Sequence, residues 1–227
     1  MSGEEQQQAD PAKPARGFTA EEARQRAQQA RQKAEFILSR AYGLMRDPKA
    51  EWEQIKAEET NIASILLGYV APLTAFFSLC VLIGSLIFEG RPIGGALVDA
   101  VITAVLMTGL VALIGYVISA VAESFDADKD ELAAQKVAAY SFTPFFLSGV
   151  FWLWPPLLWL TFVAVGISAF LLYRGLPPLM KTPADRAMGY ATAIGIASIV
   201  GFLIAAILVG CFASTGIAPV PRVAPHA

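Results

Sequence analysis

The chain has 227 residues, 56% of them hydrophobic and 16% charged, and a formal net charge of -2. Soluble domains carry about 25% charged residues, so this composition, with a mean hydropathy of +0.54, excludes a water-soluble enzyme or binding module. The near-zero net charge likewise speaks against nucleic acid as a partner. The charges are crowded toward one end: ten of the 17 Lys and Arg and eleven of the 19 Asp and Glu precede residue 60. Such a shift from polar to apolar marks a cytosolic segment followed by a membrane domain.

Residues 1–17 are polar, carry two prolines and lack the apolar core of a signal peptide, so a disordered tail is expected. Thr19 and Glu22 have the spacing of a capping box, which starts a helix running to about Arg46. Along that helix Ala23, Ala27, Ala30, Ala34, Ile37, Ala41 and Leu44 recur at alternating spacings of four and three, a heptad-like seam. The seam suits either packing on the chain's own membrane domain or docking of a partner. Asp47 as N-cap and Pro48 at the first helical position restart a helix over about 48–60. With Trp52 and Ile55 on one side, this amphipathic piece is expected to lie along the lipid headgroups.

The uncharged run Ile62–Phe88 is long enough to cross the hydrocarbon, for which about 20 residues suffice. A turn at Glu89–Pro92 leads to a second apolar run, 93–122, with Asp99 as its single charge. Residues 123–136 read as a charged loop with five acidic and two basic residues. The next uncharged run, 137–173, would make roughly 55 Å of helix, nearly twice the hydrocarbon thickness. It therefore divides into two spans at Trp154-Pro155-Pro156. Residues 174–186 form a further loop with prolines at its start, and 188–212 a last span. The expectation is an all-α protein with five transmembrane helices (about 62–88, 95–122, 137–153, 156–173 and 188–212) and a Pro-rich external tail over 214–227.

Placing the N-terminus in the cytoplasm puts fifteen Lys and Arg inside, against Arg91 and Arg222 outside. By the positive-inside bias the C-terminus is then external, or periplasmic in a bacterial inner membrane.

Few side chains are candidates for chemistry. The only histidine is His226, in the tail, and Cys80 and Cys211 both fall in apolar stretches, where buried thiols are expected. HExxH, CxxC, GxSxG and phosphate-loop signatures do not occur in the sequence. No catalytic residue, metal ligand or cofactor is expected. Asp99 is the one carboxylate inside an apolar run: either a residue near a helix N-terminus at the outer headgroups or a site for ions or protons. Tyr140, Thr143 and Pro144 form a second candidate. Pro144 leaves the Tyr140 carbonyl without its helical partner, so a kink lined by hydroxyls is expected, with Thr143 available to cap the gap. In the last span Ala193, Ala197, Gly201 and Ala205 form a stripe of small residues that lets another helix approach, within the chain or in a homodimer.

Three segments also resemble a known family: LMRDPKAEWEQIKAEE at 44–59, Tyr140-Ser-Phe-Thr-Pro144, and LLYRGLPPLMKTPADRAMGYA at 171–191. In order and spacing they look like the Yip1 domain family of five-span membrane proteins, over about residues 40–213. Ala139 stands where eukaryotic members carry the glycine of a Gly-Tyr-x-x-x-Pro signature, and their Asp-Leu-x-Gly-Pro motif is absent, which places the resemblance with the bacterial branch. The resemblance implies a non-enzymatic membrane scaffold with protein partners, in an inner membrane. The alternative is a small transporter or channel component with a polar path near Asp99 and the Tyr140–Pro144 kink.

Overall fold

A computed structural model describes residues 20–214. The expected tail 1–17, Thr19 of the capping box and all but the first residue of the tail 214–227 lie outside the described residues. Among the described residues the fold is entirely helical.

Two helices precede the membrane domain. Helix α1 spans Ala20–Arg46 and α2 spans Pro48–Ala57. The Asp47 carboxylate accepts the Ala50 N–H at 3.1 Å and so caps α2, with Pro48 at its first turn. The two pack as a hairpin against the end of the bundle. Trp52 and Ile55 are fully buried in protein rather than turned toward lipid, each contributing about 1.5–3 kcal/mol relative to exposure. Gly175 makes this docking possible, because a Cβ there would lie 2.6 Å from the Trp52 ring.

Asn61 caps the next helix through the Ser64 N–H at 2.8 Å. The run Ile62–Phe88 is helical throughout, as α3 (Ile62–Ile65), a π-turn (Leu66–Val70) and α4 (Ala71–Phe88). Helix α5 (Ile93–Val121) continues into a 3-10 turn to Phe125. Helix α8 is Leu160–Met180 and α9 is Ala184–Ser214. With their flanking turns these make four helices long and apolar enough to cross a membrane: Ile62–Phe88, Ile93–Phe125, Pro155–Met180 and Ala184–Cys211.

The expected span over 137–153 is not one helix. It is broken into α6 (Glu131–Ser141), α7 (Thr143–Leu147) and a 3-10 stretch from Ser148 to Leu153. Pro144 cannot donate to the Tyr140 carbonyl, which ends α6 and lets Thr143 and Pro144 open α7. This segment is the centre of the fold: every residue from Ala134 to Pro144 is buried. Gly115 of α5 leaves room for the Gln135 side chain, whose Oε1 lies 2.3 Å from where a Cβ would sit. At the far end a Cβ on Gly84 of α4 would come within 2.3 Å of the Trp152 carbonyl oxygen.

Two boundaries and one thiol also depart from expectation. The loop over 123–136 is shorter, since Asp130 caps α6 through the Ala133 N–H at 2.9 Å and helix begins at Glu131. The prolines expected to start the loop at 174–186 instead lie inside α8, which runs to Met180 and ends at Lys181 in the left-handed region (φ 52°). Cys80 is buried, whereas Cys211 is exposed near the end of α9.

The connections at the hairpin end are tied together. Asp128 donates its N–H to the Met180 carbonyl at 2.9 Å. Lys181 pairs with Asp128 at 2.6 Å and Arg186 with Asp126 at 3.4 Å.

Candidate functional site

The most concentrated polar chemistry lies where the α1–α2 hairpin meets the bundle. Arg40, on the last turns of α1, donates from one guanidinium nitrogen to Glu51 and from the other to Glu58, each at 2.8 Å. Its side chain is 10% exposed and that of Glu51 13%, so the pair is largely shielded from solvent. Gly43 belongs to this geometry: a Cβ on it would sit 2.2 Å from a Glu51 carboxylate oxygen.

From the bundle side Lys136 of α6 reaches the same place. Its ammonium donates to the Ile55 carbonyl at 2.8 Å and the Glu58 carbonyl at 2.6 Å. These groups end α2, where the helix dipole and unpaired carbonyls favour a cation. Burial pushes the Lys136 ammonium down from its ordinary value, opposed by the nearby charges of Glu58 and Asp130.

Beneath the ion cluster lies an aromatic and hydroxyl layer. The Arg40 guanidinium stands 5.6 Å from the Tyr140 ring centroid and 5.2 Å from that of Phe36. Tyr140 packs on Tyr69 with ring centroids 4.6 Å apart. The Tyr69 and Thr143 hydroxyls share a hydrogen bond of 2.8 Å. The ion cluster is thus followed by a cation–π layer and then by a buried hydroxyl pair.

The sequence candidates distribute as follows. Tyr140 and Thr143 sit in this assembly, Thr143 bonded to Tyr69, with Pro144 buried at the start of α7. Asp99 is elsewhere, paired with Arg91 across the turn before α5 and with a side chain 13% exposed. The stripe on α9 faces α5 at Gly201, where a Cβ would lie 2.5 Å from Leu110. Ala193 and Ala197 are half-buried and Ala205 is buried. Of the seam on α1, Ile37, Ala41 and Leu44 are buried against the bundle, while Ala23, Ala27, Ala30 and Ala34 are exposed.

Sequence reasoning missed Arg40, Glu51, Glu58, Tyr69 and Lys136. One signal pointed toward them. Lys136 directly precedes a long uncharged run, and a cation there needs acceptors that its own neighbourhood does not supply.

What the arrangement does chemically is clamp. Four charged side chains and two carbonyls from three helices gather in one place and fix the α1–α2 hairpin onto the bundle. Among the described residues no group of three His, Cys, Asp or Glu is placed to hold a metal ion.

Comparison with known proteins agrees with this architecture. Two curated relatives, both named inner membrane protein YohC, come from Escherichia coli strain K12 and from Escherichia coli O6:H1 strain CFT073. Each is 27% identical over 175 residues, covering 70% of this chain and 89% of the relative. No solved structure matches the chain. The Yip1 domain model matches residues 42–214, a stretch that takes in the end of α1, the clamp residues Glu51, Glu58 and Lys136 but not Arg40, and the four long apolar helices. The chain is an integral membrane protein and belongs to the Yip1 domain family.

Proposed function

We propose that the chain is a non-enzymatic organiser of a bacterial inner membrane, which presents a cytosolic helical arm to protein partners. The carrying observation is the division of α1. From Glu21 to Phe36 every residue is exposed, whereas Ile37, Ala41 and Leu44 are buried and Arg40 is locked into the clamp. Half of one helix is thus anchored and the other half is held away from the bundle as a continuous extension. The relatives' printed name supports the inner membrane as its location.

The same reading takes the broken segment as a fifth crossing. Lys136 at its start touches the hairpin, while Trp152 at its end touches Gly84, near the opposite end of α4. The first contact is with the end of α2, just before α3, and the second is near the far end of α4, which supports a segment that traverses the depth of the bundle. With the N-terminus inside, five crossings leave the C-terminus in the periplasm.

A transport role finds less support. The Asp99 carboxylate is already neutralised by Arg91, and the Thr143 hydroxyl is already used by Tyr69.

The test is co-purification from mild detergent of the full chain beside a chain lacking residues 1–34. The truncated chain keeps the buried seam and the clamp. It should reach the membrane at normal levels but lose proteins held by the full chain. An unchanged set of bound proteins would refute the arm as the docking element.

A further inference from the structure

Outside the clamp, a second feature combines charge with a cavity. The uncharged stretch 156–173, a 3-10 turn followed by the first part of α8, covers about 27 Å, close to the hydrocarbon thickness. Arg174 therefore stands where hydrocarbon gives way to headgroups. Phe162 and Phe170 on the same helix are 79% and 50% exposed, which marks the side turned to lipid. The Arg174 guanidinium lies 6.0 Å from the Phe170 ring centroid. Just beyond, α2 leans across α8 through Trp52 and Gly175.

Between these helices is an open cleft of about 460 Å³ lined by Lys49, Glu53, Tyr173, Arg174, Pro177 and Pro178. Unlike Arg40, neither Lys49 nor Arg174 forms an ion pair among the described residues. Pro177 and Pro178 bear no N–H, so the Tyr173 and Arg174 carbonyls lack their α-helical donors. The cleft offers two cations, one carboxylate, a phenol and two carbonyls without helical partners, directly above an apolar, lipid-facing side chain.

We propose that this cleft binds the headgroup of an anionic glycerophospholipid of the phosphatidylglycerol type. The phosphodiester lies between Lys49 and Arg174, the cytosolic-side arrangement that basic pockets use for acidic lipids. The glycerol hydroxyls have the Tyr173 and Arg174 carbonyls to donate to, which a choline headgroup cannot use. The acyl chains descend past Phe170. Glu53 opposes the phosphate and leaves the cleft with one net positive charge. This inference stands on the membrane placement of α8 and does not depend on the arm of α1.

The experiment uses the full chain in mild detergent, titrated with phosphatidylglycerol, with phosphatidylcholine and with inorganic phosphate. Thermal stability and lipid retention in native mass spectrometry are read together. Phosphatidylglycerol should bind saturably and raise the melting temperature, while phosphatidylcholine and inorganic phosphate should do neither. Lys49→Gln and Arg174→Gln should each weaken binding about fivefold, and Glu53→Gln should strengthen it by a similar factor. The opposite signs guard against misfolding, since a damaged fold would weaken all three. Equal binding of phosphatidylcholine, or no loss in either cation variant, would overturn the proposal. Stabilisation by inorganic phosphate equal to that by lipid would also overturn it, by showing a site for free anions.

Discussion

At the scale of single residues, Arg40 ties the two helices of the hairpin to each other through Glu51 and Glu58. Removing one member of a shielded ion cluster leaves its partners with uncompensated charge, which typically costs about 3–5 kcal/mol. The 32% exposure of the Glu58 side chain moderates this, so Arg40→Gln is expected to lower stability by about 3 kcal/mol. Arg40→Lys should restore only part of it, since an ammonium cannot bridge two carboxylates as a planar fork does. Thermal melting in detergent and protease access to α1 and α2 check both. Lys136 gives a pH signature. Its value is lowered in the folded chain, so between that value and the ordinary 10.5 the unfolded chain binds more protons. The burial penalty is full at neutral pH and is relieved as pH rises through this window. The wild type should therefore gain stability relative to Lys136→Met as pH climbs toward 10.5. A constant gap in melting temperature would show that Lys136 is not desolvated.

At the scale of elements, close approach decides the packing. Gly84 and Gly149 bring α4 and the broken segment together: a Cβ on Gly149 would lie 2.9 Å from the Phe77 Cα. At Gly84 the obstructing atom is a backbone oxygen, which cannot swing aside. Gly84→Ala should thus cost about 1–3 kcal/mol, more than Gly43→Ala, where only a side-chain carboxylate is displaced. On α9, Gly201→Leu should lower the melting temperature and leave oligomer size unchanged, because the space it needs holds Leu110 of the same chain. Loss of a larger species in size-exclusion chromatography would instead put the stripe at a dimer contact. The elements differ in how legible they were. Asp47 and Pro48 announce α2 because capping is local, and the uncharged runs announce the long helices because length is local too. The clamp left no such mark: Arg40 and Glu58 are 18 residues apart and Lys136 and Glu58 are 78 apart. No periodic pattern encodes such pairings. The break in the central segment was half legible. Pro144 predicts a kink, but only packing on every side explains why a segment in short pieces persists at the centre.

At the scale of the whole molecule, topology is the sharpest test. Reporter fusions after Arg91 and at the C-terminus should report the outside, and those at Lys129 and Lys181 the cytoplasm. A reversal at Lys181 would mean that the segment from Glu131 to Leu153 does not cross. The paired loops bear on this prediction. Asp126 with Arg186 and Asp128 with Lys181 join the acidic connection after α5 to the basic connection after α8, which requires both on one side.

The central position of the broken segment also constrains how the protein is made. Synthesis delivers Glu131–Leu153 before α8 and α9, yet α8 packs along α6 and α7, and Phe202 of α9 packs on Phe142 and Phe145. Until α8 leaves the ribosome, the Phe145 N–H near the start of α7 lacks the Ser168 hydroxyl that accepts it at 3.2 Å, and acyl chains offer it nothing. The nascent chain must therefore hold this segment in the insertion machinery, or against α4 and α5 alone, while it waits for its remaining neighbours. A ribosome-stalled intermediate ending near Trp159 would expose the segment to crosslinking by the translocation channel, and release of the stall would abolish that crosslink.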